Sequence, residues 1–104
     1  MKAVVYRQAA LDQLADLIDF IAADKPGAAS RVLEAVELCI SRLATFPYSA
    51  APMEGILNGE LVGIRRATVT PYRAYVVFYF VREDGIEIVS FQRGEQNQKR
   101  LGSR

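Results

Sequence analysis

The 104-residue chain contains no histidine and no tryptophan, and it has a single cysteine, Cys39. Without histidine there is no His-based triad, no imidazole general base and no His metal ligand. One thiol can build neither an intrachain disulfide nor a thiolate zinc site. Cys39 falls within a helical pattern and reads as a buried small hydrophobe, in keeping with a reducing cytoplasm. Long apolar runs are missing as well. The longest, Ala74–Val81, is of strand length, well short of the roughly 18 residues that a membrane span needs. The opening residues MKAVVYRQAALDQLADLIDF are interrupted by Arg7, Gln8, Asp12 and Asp16, so they lack the continuous apolar core of a signal peptide. No glycine-rich phosphate loop is present: Gly55–Gly59 lacks the following Lys-Ser/Thr and leads into a strand rather than a helix. A soluble, cytoplasmic protein is expected, with no cofactor, no metal and no membrane partner.

What is present suits one domain over residues 1–104, with about 95–104 as a basic tail. Hydrophobic residues make up 51% of the chain, enough for a core without staples. Charge is divided unevenly. Residues 1–60 carry five basic and eight acidic residues, a net −3, whereas residues 61–104 carry eight and four, a net +4. A dipolar domain with a basic sheet end suits a polyanion or an acidic partner, although ordinary solvated charge gives the same tally.

Lys2–Arg7 is short and β-branched and is expected to be a strand. From Ala9 the period changes. Leu11, Leu14, Ile18 and Ile21 recur at helical spacing opposite Asp12, Asp16 and Asp19, predicting a helix over Ala9–Ala23. Those aspartates read as solvating charges rather than a catalytic pair. Pro26 then opens a second helix, Gly27–Thr45, with Leu33, Val36, Ile40 and Leu43 as its inner stripe. The short link makes the two an antiparallel hairpin. Phe20 and Leu38 stand outside the stripes; single exposed apolar residues are ordinary scatter, and two on the outside of one hairpin also suit a partner-facing surface. Phe46–Glu60 is a long loop. Leu61–Val69, Tyr72–Val81 and Ile86–Arg93 read as strands, separated by Thr70-Pro71 and by a hairpin turn in which Gly85 supplies a positive φ. Tyr72–Val81 is apolar on both faces toward its end and is therefore central. The fold class is α+β: N-terminal strand, antiparallel helical hairpin, then a three-strand antiparallel meander, all in one sheet with the helices on one face.

Arginine and tyrosine remain as candidate functional groups. Arg65 and Arg73 fall on neighbouring predicted strands, and Arg93 ends the last one. Converging on one face, they form a guanidinium surface able to hold phosphates or carboxylates by paired hydrogen bonds, extended by Lys99 and Arg100. The alternative is plain protection of sheet edges by charge. Tyr75 and Tyr79 share a strand face and Tyr72 takes the other. That pattern suits core tyrosines better than a base-stacking platform.

Four segments, in order, resemble the RelE/ParE superfamily of type II toxins. They are residues 11–47, with acidic helix, Asp-Lys-Pro break, second helix and closing Phe46-Pro47; Gly63-Ile64-Arg65; Tyr72-Arg73-Ala74-Tyr75-Val76-Val77-Phe78-Tyr79; and Ile86–Val89 through Arg93-Gly94. The resemblance implies a compact toxin neutralised in a hetero-oligomer by a cognate antitoxin, whose C-terminal segment wraps it with an apolar helix and an extended stretch. Leu17, Phe20 and Leu38 are then antitoxin contacts. RelE-like members cut mRNA in the ribosome; ParE-like members poison DNA gyrase without being enzymes. This chain has no tyrosine after Tyr79, and Arg93 stands where many relatives carry histidine before glycine. Arginine, always protonated, serves poorly as a base. The ParE-like branch is therefore favoured, with no catalytic residue and with Arg65, Arg73, Arg93, Lys99 and Arg100 binding the target. In the ribonuclease alternative, Arg65, Arg73, Arg93 and Lys99 hold and neutralise the phosphate. A toxin-fold binding module without toxicity is the third reading.

Overall fold

The computed structural model describes residues 3–55, 58–72 and 74–93. Its elements are β1 (Ala3–Tyr6), α1 (Gln8–Asp24), α2 (Pro26–Thr45), β2 (Arg65–Thr68), β3 (Tyr75–Arg82) and β4 (Gly85–Arg93). The strands form one sheet in the order β1-β4-β3-β2. As expected, β2, β3 and β4 make an antiparallel meander and the N-terminal strand joins it. β1 runs parallel to β4, however, so the sheet is mixed.

A single residue separates the helices. The Lys25 N–H donates to the Ile21 carbonyl and closes α1, while the Lys25 carbonyl accepts from Ala28 and Ala29 and opens α2. Pro26 sits in the first turn of α2, where its missing N–H leaves no helical bond unmade. The buried face of α2 comprises Ala29, Val32, Ala35, Val36, Cys39, Ile40, Leu43 and Ala44, a three-four recurrence. Leu33 is only half-buried, so the stripe is rotated from the expected one toward Val32 and Cys39. In α1, Ala10 is fully buried, Leu14, Ile18 and Ile21 pack against the core, and Leu11 is exposed. The helix begins one residue earlier than its apolar spacing suggests, and the Ala10 Cβ takes the inward place assigned to Leu11.

Both sheet faces are buried around β3. On the helix side Ala67, Val77, Tyr79, Ile86, Ile88 and Phe91 join the main core, and on the reverse Ile64, Val76, Phe78 and Phe80 form a smaller one with Met53 and Val89. The segment after α2 supplies part of that cover. Pro52 bridges to Arg65, the Met53 N–H donates to the Ile64 carbonyl, and the Arg66 N–H donates to the Ala51 carbonyl, so this segment runs along the outer edge of β2.

Three sequence expectations need correction. β2 starts at Arg65, not Leu61, because residues 61–63 form a turn with Gly63 at φ +89°. β3 starts at Tyr75 rather than Tyr72, since the Tyr75 N–H folds back to the Tyr72 carbonyl. Gly85 is not a positive-φ turn residue. It is the first residue of β4, where a Cβ would come within 1.9 Å of the Ala3 carbonyl oxygen. Glycine is needed there for the close approach of β1.

Candidate functional site

β1 has four residues and β4 has nine, so their pairing ends at Tyr6 opposite Ile88, followed by an Arg7 N–H donating to the Ile88 carbonyl. The next residue on β4 breaks the register. Phe78 faces Ser90 and Tyr79 faces Ile88, which leaves Val89 as a bulge. A bulge bends its strand and increases the twist, so the end of β4 departs from the line of β1. Helix α1 stands there instead. The Gln13 Oε1 accepts from the Phe91 N–H at 3.0 Å.

Between α1 and this end of β4 lies a groove of about 490 Å³. Gln13, Asp16, Leu17 and Phe20 line it from the helix, and Phe91, Gln92 and Arg93 from the strand. Phe20, 69% exposed, also borders a second hollow of about 450 Å³ at the C-terminal end of α1. A large aromatic ring left in water between two hollows is a natural anchor for a partner.

Of the expected antitoxin contacts, Leu17 and Phe20 line the groove. Leu38, 64% exposed on α2, does not. Of the expected basic residues, Arg93 lies in the groove. Arg65 lies elsewhere: its guanidinium donates to the Ala50 carbonyl and stacks over the Tyr48 ring at 4.9 Å. The register places Arg65 opposite Tyr79 and Arg93 opposite Tyr75. They share a sheet face but sit two strands and four residues apart, a separation on the order of 15 Å. The structure does not bring these two guanidiniums together. Arg73, Lys99 and Arg100 lie outside the described residues.

Tyr79 is fully buried and its hydroxyl donates to the Pro47 carbonyl at 2.7 Å. Burial pushes this phenol above its ordinary pKa, against a smaller opposing pull from Arg65. It is a protonated structural donor that, with Arg65, holds the chain leaving α2 against the sheet.

The sequence reading missed a second charged cluster, on the reverse face. Glu87 accepts from the Arg7 Nε at 2.7 Å and from the Arg82 Nε at 2.8 Å, and both guanidiniums lie over the Phe80 ring. The hydrogen bond from Arg7, then that from Arg82, holds the Glu87 carboxyl below its usual pKa. Nothing in residue spacing joins positions 7, 82 and 87; the sheet does. Gln13 was missed as well, because a glutamine among helix-surface residues carries no signal of its own. Among the described residues, no group of His, Cys, Asp or Glu is placed to hold a metal ion, and no helix is long and apolar enough to cross a membrane.

A small α+β domain with a helical hairpin on a four-stranded sheet and an open groove beside the last strand has the architecture of RelE/ParE-type toxins. The chain belongs to the family of ParE toxins of type II toxin–antitoxin systems (parDE), whose model matches residues 4–98. A solved structure described as the chromosomal ParDE toxin–antitoxin system from P. aeruginosa is similar in fold, with TM-score 0.71 and 17% identity over 89% of this chain and 96% of that one. A YoeB/ParE toxin from Agrobacterium tumefaciens is similar at TM-score 0.56 and 18% identity, over 89% and 98% of the two chains. No curated protein matches the chain.

Proposed function

We propose that the chain is the toxin of a parDE-type pair, which stops growth in the cytoplasm by inhibiting DNA gyrase and is held inactive in a hetero-oligomer with its cognate antitoxin. The match to the ParE family over residues 4–98 is the observation that carries this reading. The geometry supports it. Tyr79 and Arg65, which the sheet places opposite one another, are both engaged in holding the chain after α2, at Pro47 and Ala50. Neither is poised to move a proton or clasp a scissile phosphate. The protein acts by surface recognition. Arg65, Arg73, Arg93, Lys99 and Arg100 are the target contacts; Arg93 shares the groove with Leu17 and Phe20, so a bound antitoxin covers it. Leu17 and Phe20 receive the antitoxin in the groove, and Leu38 meets it on the outside of the hairpin.

Expression of the chain alone is expected to arrest growth with gyrase trapped on DNA, and co-expression with the product of the adjoining reading frame is expected to restore growth. Rapid loss of mRNA with normal supercoiling would instead favour the ribonuclease branch. Normal growth with folded protein in the cell would favour a non-toxic binding module.

A further inference from the structure

Two large rings are left in water where α2 gives way to the loop: Phe46 is 62% exposed and Tyr48 70%. The turn that carries them is fastened at several points. The Phe46 N–H donates to the Arg42 carbonyl, and the Ser49 N–H donates to the Phe46 carbonyl. Tyr79 holds the Pro47 carbonyl and Arg65 the Ala50 carbonyl, one on each side of Tyr48. The Arg65 guanidinium covers one face of the Tyr48 ring, 4.9 Å from its centroid, and the other face is open to water. A ring held in one orientation, backed by a cation and open on one face is a platform for a second flat group.

The charge around this platform has one sign. Residues 38–53 and 61–82 contain no aspartate or glutamate. Arg42 stands in the last turn of α2, just before Phe46, and Arg65 lies behind Tyr48. The loop reaches Glu54 only after it has run past Arg65 and Ile64, and Glu37 acts on Tyr6 at the opposite edge of the sheet. A protein–protein contact pairs charges of both signs, whereas a carboxylate beside a phosphate backbone is repelled. Rings with arginines and without acids therefore suit a nucleic acid better than a protein. The open ring face needs a base that is not already stacked on both sides, which means an unpaired strand.

We propose that Tyr48 is a stacking step for an unpaired base of single-stranded DNA, with Arg65 fixing the ring from behind and Arg42 meeting the phosphates of the strand. Phe46 offers the neighbouring nucleotide a second apolar surface. The choice of DNA over RNA rests on the reading of gyrase as the target; the stacking site itself does not. The toxin thereby touches the nucleic acid that gyrase handles as well as the enzyme.

The test titrates the purified chain into short fluorescent oligonucleotides, with gyrase supercoiling as the separate readout of inhibition. The strands are oligothymidylate, oligouridylate, an abasic DNA strand and a DNA duplex. Oligothymidylate is expected to bind best, and the abasic strand and the duplex about tenfold or more weakly. Tyr48→Ala lowers affinity for oligothymidylate about tenfold to a hundredfold, while Tyr48→Phe keeps it within about twofold. Arg42→Gln binds more weakly and flattens the slope of log affinity against log salt by about 0.7. The Tyr48 ring is exposed, so Tyr48→Ala melts close to wild type and its loss of binding is local. Equal binding of the abasic strand, or no effect of Tyr48→Ala, overturns the stacking site. Preference for oligouridylate overturns the choice of DNA and favours the ribonuclease branch. Binding to purified gyrase that Tyr48→Ala weakens, with no oligonucleotide bound, makes the ring a protein anchor and overturns the proposal. Gyrase inhibited by a chain that binds no strand removes the site and leaves the gyrase reading standing. A strand bound through Tyr48 with supercoiling undisturbed does the reverse.

Discussion

Glu87 shows how much one side chain can join. It ties the residue that follows β1 to the last residue of β3, through Arg7 and Arg82, above the edge of the reverse-face core at Phe80. Both arginines are partly exposed, which weakens each pair, yet Glu87 itself is largely covered. Glu87→Gln is therefore expected to lower stability by about 1–2 kcal/mol, in the range for charge-assisted hydrogen bonds to half-solvated partners. The pH dependence follows from the lowered pKa. A carboxyl whose folded pKa lies below its unfolded value contributes stability that is fully present above the unfolded value, near 4.5. That contribution is lost as pH falls through the folded value. Thermal melts from pH 7 down to pH 3 should show wild type converging on Glu87→Gln in the acid range. A constant gap across the whole series would mean that the carboxylate charge is not what stabilises this corner.

At the scale of elements, the end of β4 is shaped by two mismatches: β1 is too short to follow it, and the bulge at Val89 turns it aside. Gly85 belongs to the other end of the same strand, where β1 lies so close that no side chain fits. Gly85→Ala is expected to force β1 off β4 at a cost of at least ~2 kcal/mol. Urea unfolding would measure the cost, and faster exchange of the Ala3 and Arg7 amides, which donate to Asp84 and Ile88, would locate it. Unchanged protection of both amides would show that the strand tolerates the added methyl. The elements themselves were largely legible in the sequence. The helix period, the Pro26 punctuation and the two apolar faces of Tyr75–Val81 each have a local physical cause. Of the groove, residue spacing marked Phe20, whose ring breaks the helical stripe, and Arg93 at the end of the last strand, and the family resemblance added Leu17. Its other features depend on pairing at a distance. A bulge leaves no mark in composition, and the Arg65 contacts depend on an aperiodic loop. A glycine after Glu83-Asp84 reads equally well as a turn residue or as a site of close approach.

For the whole molecule, the uneven charge now has a layout. Asp16 lines the groove and Asp24 the hollow beside it, while Arg65 and Arg93 occupy separate parts of one sheet face. This arrangement suits a protein that meets two macromolecules, one to be inhibited and one that restrains it, rather than one that turns over a small substrate. Family membership sets the class, and the engaged state of Arg65 and Tyr79 argues for recognition over phosphodiester chemistry.

The most direct measurement is ATP-dependent supercoiling by purified DNA gyrase in the presence of the isolated protein, with cleaved DNA scored in the same reactions. The account predicts that supercoiling falls and cleaved complexes accumulate as the protein is added, and that the antitoxin reverses both. Undisturbed supercoiling, together with mRNA cut at the ribosome in a translating extract, would contradict it.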